Sequence, residues 1–314
     1  MAPTKVVLAS PRGYCAGVDR AVDTVERALD HFGPPVYVRR EIVHNRHVVA
    51  ELTGRGAVFV ESEEDVPAGA VLVLSAHGVA PEVHRRSAER SLQVLDATCP
   101  LVTKVHAEAR RFADRGYTIV LVGHAGHEEV VGTMGEAPDA IRLVESIADV
   151  EQLDVPDPLR VAYITQTTLS VDETIEIIAA LRRRYPAAVG PKRDDICYAT
   201  QNRQNAVKRL ASVVDLVLVI GSKNSSNSNR LVEVTRELGV PAHLIDDERD
   251  IDPGWLEDIA TVGITSGASA PEQLVDRVIE HFRAMGVAQV ESQEAEPEDV
   301  HFSLPVELRR AVGS

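Results

Sequence analysis

Three cysteines, Cys15 in SPRGYCAGVDRAV, Cys99 in LDATCPLVTKV and Cys197 in DDICYATQNRQ, are the first chemistry this chain offers. They are its only cysteines and lie 84 and 98 residues apart, so there is no compact CxxC knuckle. Each follows a short extended stretch and opens a segment of helical periodicity, which places a thiol at a strand-to-helix junction three times. Helix N-termini favour the thiolate, the form that binds metal. Three thiolates leave one position open on a tetrahedral zinc or a [4Fe–4S] cluster, and a catalytic metal centre needs such an opening. Three distant cysteines meeting around a bulky cube fit three lobes better than zinc does. Zinc held by Cys₃, or through the HxxH of His124 and His127, remains the rival.

The elements that must position these thiols repeat. After Cys15, Val18, Ala21, Val22, Val25 and Leu29 recur at helical spacing. The strand VYVRREIV then ends at His44-Asn45, and AVLVLSAHGV at His77-Gly78. After Cys99, Val102, Val105, Ala109 and Phe112 mark a second helix. TIVLVG leads to GHAGHEE, with His127, Glu128 and Glu129, and RVAYIT to QTTLS, with Thr167 and Thr168. After Cys197, Ala206, Val207, Leu210 and Val214 mark a third. VDLVLVIG leads to SKNSSNSNR, with Ser225, Ser226 and Asn227, and TVGIT to SGASAPE, with Ser269. Cys15 to His44 is 29 residues, Cys99 to His127 is 28 and Cys197 to Ser225 is 28. The second intervals, to His77, Thr167 and Ser269, are 62, 68 and 72.

Short apolar strands alternating with amphipathic helices indicate an α/β fold with mainly parallel sheets. Ligands bind beyond the carboxyl ends of such strands, where every polar loop named above falls. The expected architecture is three similar small α/β lobes in pseudo-threefold arrangement around a central cluster cavity. The lobes span 1–98, 99–195 and 196–283, and 284–314 is an acidic, irregular C-terminal tail with no chemistry assigned.

Composition narrows the function. A net charge of −15 argues against nucleic-acid binding, which depends on neutralising phosphates. With aromatics at 4%, the core must be aliphatic. No apolar run reaches membrane-spanning length, and the N-terminus reads as a first strand, not a secretory signal. An odd cysteine count makes a disulfide framework improbable and points to a reducing cytoplasm.

Several loops carry further candidates. GSKNSSNSNR, with Lys223 and Arg230 among small hydroxyl and amide donors, resembles a phosphate cradle ahead of a helix. A Walker GxxxxGK[ST] and a GxGxxG after the first strand are both absent, so ATP and dinucleotides lack support. His44, His77 and His127 end strands and suit diphosphate contacts or a second metal. Glu129 is a candidate proton donor, since a carboxyl in a closed cavity beside an anion holds its proton near neutral pH. Glu128 reads as an ordinary solvated acid.

Together PRGYCAGVDRAV, EIVHN, SAHGV, DATCPLV, GHAGHEEVVGTMG, TQTTLSVD, DDICYATQNRQ, GSKNSSNSNRL and GASAPE give a chain that resembles the 4-hydroxy-3-methylbut-2-enyl diphosphate reductase family over about residues 5–283. That family catalyses the last step of the methylerythritol phosphate route to isoprenoids. The resemblance implies a [4Fe–4S] cluster on Cys15, Cys99 and Cys197 with one open iron. It implies diphosphate contacts from His44, His77, His127, Ser225, Ser226, Asn227 and Ser269. Thr167 and Glu129 would hold the substrate hydroxyl and relay protons, with Thr168 supporting them. The reaction implied is two-electron, two-proton reductive dehydroxylation to isopentenyl and dimethylallyl diphosphates, driven by a ferredoxin or flavodoxin. Where the family usually has Pro between the His and Glu of GHxGHPE, this chain has Glu128, expected either to turn outward or to perturb Glu129. Glu128→Gln is expected to do little. A non-catalytic iron–sulfur carrier, a zinc hydrolase and a hydro-lyase are the alternatives.

Overall fold

The computed structural model describes residues 3–294 and 298–313. The chain opens with β1 (Lys5–Leu8), α1 (Ala16–Phe32), β2 (Val36–Arg39), α2 (Arg46–Gly54), β3 (Ala57–Val60), β4 (Val71–Leu74), α3 (Pro81–Glu89) and β5 (Gln93–Asp96). It continues with α4 (Pro100–Asp114), β6 (Thr118–Val122), α5 (Glu128–Met134), β7 (Ile141–Val144), α6 (Ile147–Gln152), β8 (Val161–Thr165) and α7 (Val171–Arg184). The last run is α8 (Tyr198–Ala211), β9 (Leu216–Ile220), α9 (Ser226–Glu237), β10 (Ala242–Ile245), β11 (Thr261–Ser266), α10 (Glu272–Ala284), β12 (Gln289–Ser292) and α11 (Val306–Val312).

These strands form three sheets, ordered β3-β2-β4-β5, β7-β6-β8 and β10-β9-β11-β1-β12. Every strand pair is parallel. An isolated parallel bridge from Val189 to Ala162 stands beside β8 where a fourth strand would lie. The same order therefore recurs three times: second, first, third, fourth. The α/β fold with parallel sheets that the sequence predicts is the fold found.

Two compact units can be drawn from the chain. One takes Met1–Val18, His44–Val48 and Tyr198–His301 and contains the five-stranded sheet. The other takes Asp19–Val43, Val49–Cys197 and Phe302–Ser314 and contains the remaining two sheets. Alternation along the strands fixes the packing in each. In the first unit, Leu216, Leu218 and Ile220 face Val275, Val278 and Phe282 of α10, while Val217 and Val219 face Ala206, Val207 and Leu210 of α8. In the second, Ile119 and Leu121 face Val105, Ala109 and Phe112 of α4, while Val120 and Val122 face Ile177 and Leu181 of α7. Covered on both faces, β8 and β9 are buried at every residue. Among the described residues, no helix is long and apolar enough to cross a membrane.

Two findings differ from the sequence reading. β1, drawn within the segment 1–98, lies between β11 and β12, with Val6 opposite Val262 and Val290. Its apolar Val6, Val7 and Leu8 are buried in that sheet, and the pairing spans some 250 residues of chain that local periodicity cannot see. The segment 284–314 is also not irregular throughout. It supplies β12 and α11, and Leu308 of α11 is fully buried; residues 295–297 and 314 lie outside the described residues.

Leu8 shares a buried cluster with the partly buried Trp255, the only tryptophan in the chain. Leu8→Ala is expected to cost about 2–5 kcal/mol. Urea unfolding followed by tryptophan fluorescence checks this, and an unmoved midpoint would show β1 to be dispensable to that sheet.

Candidate active site

Each cysteine stands one residue ahead of a helix: Cys15 before α1, Cys99 before α4 and Cys197 before α8. Its amide N–H has left the strand ladder and donates instead to a loop carbonyl. Cys99 N–H bonds Ala76 O at 3.0 Å, Cys197 N–H bonds Thr167 O at 3.0 Å and Cys15 N–H bonds Ala268 O at 3.3 Å. Ala76, Thr167 and Ala268 follow the third strand of their respective sheets, and the next residues are His77, Thr168 and Ser269. The structural counterpart of His77 and Ser269 is thus Thr168, one residue beyond the position the spacing selects. All three cysteines are half-buried thiols, none in a disulfide.

The larger unit assembles the acid. Glu129 lies in the first turn of α5 and is 2% exposed. Thr167 grips it twice, with its backbone N–H on Oε1 at 2.6 Å and its hydroxyl on Oε2 at 3.0 Å. Burial pushes the Glu129 carboxyl up to about 7, while the two bonds from Thr167 pull it down and the charge of Asp195 adds to the rise. Asp195 is buried and raised for the same reason, burial first, against the pull of Lys104. It accepts the N–H of Thr165 at 3.1 Å, fixing the end of β8 just ahead of Thr167.

Histidines flank this acid. His127 caps α5, its Nδ1 accepting the N–H of Glu129 at 3.2 Å, which assigns the ring proton to Nε2. The His77 ring stands edge-on to it at 6.0 Å between centroids. Glu128 does not turn to solvent. Its carboxylate lies 3.5 Å from His77 Nδ1 and 3.5 Å from Arg40 Nη1. Gln166 accepts the N–H of His124 at 3.0 Å and donates to Thr168 Oγ1 at 2.8 Å, joining the loops after β6 and β8.

The smaller unit assembles the cradle. Ser225 caps α9, accepting the N–H of Ser228 at 3.3 Å and its hydroxyl at 3.0 Å. Gly221 and Gly267 admit this close approach, since a Cβ at either would fall 2.1 or 2.0 Å from Ser228 Oγ. Asn227 Oδ1 accepts the N–H of Ala268 at 2.9 Å, which leaves its amide nitrogen as the donor end, 3.4 Å from Thr200 Oγ1. Ser269 donates to His44 O at 2.9 Å, and Asn224 Nδ2 meets His44 Nδ1 at 3.3 Å. Ser226 opens α9 half-buried. Arg230 pairs with Glu233 at 2.9 Å on its own helix. Asp247, fully buried, draws in Arg46 at 3.0 Å and His47 at 3.1 Å beside His44.

Cys99, Cys197, His77, His127, Glu129, Thr167 and Thr168 thus belong to one unit, and Cys15, His44, Ser225, Ser226, Asn227 and Ser269 to the other. Sequence reasoning did not single out Asp195, Gln166 or Asp247; Asp195 and Gln166 lie within the quoted DDICYATQNRQ and TQTTLSVD stretches, and that adjacency to Cys197 and Thr167 is the signal that could have found them. Among the described residues, no three His, Cys, Asp or Glu side chains are grouped as one metal ion would require. A four-iron cube makes a different demand, because each thiolate takes its own iron. Three thiols at three helix starts match that donor chemistry.

A family model described as LytB protein matches residues 6–283. A relative from Acidothermus cellulolyticus, named 4-hydroxy-3-methylbut-2-enyl diphosphate reductase, is 60% identical over 307 residues, covering 98% of this chain and 90% of its own. A Mycobacterium tuberculosis H37Rv protein, named 4-hydroxy-3-methylbut-2-enyl diphosphate reductase 2, is 61% identical over 306 residues, covering 97% and 91%. The solved structure of the E-1-hydroxy-2-methyl-but-2-enyl-4-diphosphate reductase from Plasmodium falciparum matches with a TM-score of 0.94 at 36% identity, covering 99% of this chain and 98% of that one.

The environment of Glu129 makes a pH prediction. Its folded pKa of about 7 exceeds the ordinary 4.5. The stabilising effect of its bound proton is therefore full below the ordinary value and lost as pH rises through about 7. An infrared carboxylic C=O band should vanish over that range and be absent from Glu129→Gln. A band already lost by pH 5 would contradict the assignment.

Proposed function

The chain belongs to the LytB family of 4-hydroxy-3-methylbut-2-enyl diphosphate reductases, and we propose that it reduces 4-hydroxy-3-methylbut-2-enyl diphosphate to isopentenyl and dimethylallyl diphosphates. This is the terminal step of the non-mevalonate pathway. The observation that carries the reading is the buried Glu129 carboxyl, poised near neutral pH and gripped by Thr167 beside the Cys197 amide anchor. Cys15, Cys99 and Cys197 are the proposed ligands of a [4Fe–4S] cluster, which when bound would supply single electrons and a Lewis-acidic iron with an open position. Each cysteine is carried by one of the segments 1–98, 99–195 and 196–283, the first of which lends β1 to the C-terminal sheet. The reductant is a ferredoxin or flavodoxin, and the setting is the cytoplasm.

The remaining work falls to the protein's own side chains. His44, His77, His127, Ser225, Ser226, Asn227 and Ser269 hold the diphosphate with charge-assisted bonds, which an anionic protein needs in number. Asn227 and His127 have an acceptor atom already used, so each would offer the diphosphate a donor. Glu128 lies 3.5 Å from His77 Nδ1 and adds negative charge beside that ring.

The proton path follows from the grip on Glu129. Its Oε1 takes the Thr167 N–H, so the acidic proton rides on Oε2, against the Thr167 hydroxyl. Thr167 receives that proton and passes its own to the departing allylic hydroxyl, which leaves as water. Thr168 braces the loop through Gln166. Two electrons from the ferredoxin or flavodoxin, and a second proton from the substrate's diphosphate, would complete the reduction at either end of the allyl group.

Glu129→Gln should lower kcat by about 10²–10⁴-fold while keeping iron content. Glu128→Gln should leave kcat near wild type and raise KM several-fold through His77. An anaerobic assay with reduced methyl viologen and the allylic diphosphate reads both. Equal loss of kcat in the two variants would contradict the assigned roles.

A further inference from the structure

We propose that Arg20, Lys104 and Arg203 are a cyclic set of positioning cations, each holding the loop that presents the next cysteine to the cluster; this rests on the cluster reading above. Each sits on the helix that opens after one cysteine and reaches the chain ahead of another. Arg20, five residues past Cys15, donates from Nη1 to Thr98 O at 3.1 Å and from Nη2 to Asp96 O at 3.3 Å, ahead of Cys99. Lys104, five past Cys99, donates to Arg193 O at 2.7 Å, Asp194 O at 3.0 Å and Asp195 Oδ1 at 3.1 Å, ahead of Cys197. Arg203, six past Cys197, donates to Gly13 O at 2.7 Å and Tyr14 O at 3.2 Å, ahead of Cys15. Taken in the order 15, 99, 197 and back to 15, the three links close on themselves.

The arrangement answers a physical need that recurs at each cysteine. Carbonyls at or beyond a strand's last residue have no ladder partner, yet buried ones must find a donor. Only a cation with several donors satisfies two or three diverging carbonyls at once. With its own N–H tied to a third-strand loop and the carbonyls before it tied to a cation, each cysteine is held from both sides. The cation also acts as charge. Burial weakens the hold of Arg20 on its proton, while Asp96 and then Cys99 strengthen it, so that guanidinium and that thiol sense each other. Arg203 is fully buried; it also bonds Ala199 O at 3.0 Å and pairs with Glu298 at 3.2 Å, giving the C-terminal segment a part in holding Cys15. Positive charge held on the carbonyls just ahead of each cysteine would strengthen iron retention and favour the reduced cluster.

The test uses the full chain reconstituted anaerobically with iron and sulfide. Lys104→Met and Arg20→Gln remove part-exposed cations and are preferred to changing the buried Arg203. Both should lose iron to a ferrous chelator about 10-fold faster or more than wild type. Their reduction potentials should shift negative, their unfolding midpoints should stay within a few degrees of wild type, and Lys104→Arg should restore slow release. Wild-type release rates in both variants would overturn the inference, as would faster release matched by an equal loss of fold stability. A wild-type chain that takes up no iron would overturn the cluster reading itself.

Discussion

An amide N–H with no strand left to bond to is the constraint from which this site grows. Parallel sheets end abruptly, and the chain leaving the fourth strand position must turn into a helix while its polar backbone is still partly buried. At Cys15, Cys99 and Cys197 the solution is the same bond to the loop after the third strand. That bond locks two loops together, the one carrying a thiol and the one carrying His77, Thr168 or Ser269. Proposed metal ligand and proposed substrate contact are thereby built as one piece, three times.

The second dependency is the balance of forces on Glu129. Two hydrogen bonds from Thr167 favour the carboxylate, whereas loss of water favours the acid; burial wins, with the charge of Asp195 assisting. A carboxyl so placed keeps a proton that a solvated one would have lost near pH 4.5. The neighbouring Glu128 follows the opposite logic. Less buried, it faces Arg40 and His77, each at 3.5 Å. Two adjacent acids therefore sit in opposite environments, one buried against Thr167 and one facing Arg40 and His77.

Much of this was legible in the chain itself. Strands such as VDLVLVIG and helices such as that after Cys99 announce themselves by period, because each buries a defined face. The cysteines and polar loops could be placed at strand ends for the same reason. What stayed hidden was set by contacts distant in sequence. β1 reads as a strand, yet nothing local says it pairs with β11 and β12. Thr168 replaces Thr167 in the threefold register because loop lengths differ between repeats. The acidic tail looked structureless because its anchors are distant in sequence: β12 pairs with β1, Leu308 is buried, and Glu298 reaches the buried Arg203. Arg20, Lys104 and Arg203 stood in plain view after each cysteine, but their meaning depends on which loop each faces.

The central claim is that three thiolates share one cluster and leave one iron for the substrate. Mössbauer spectra of ⁵⁷Fe-reconstituted protein, taken with and without the allylic diphosphate, test it most directly. The account predicts a [4Fe–4S] spectrum in which one iron differs from the other three, and only that iron changes when the diphosphate is added. Four equivalent irons, unmoved by the diphosphate, would contradict it.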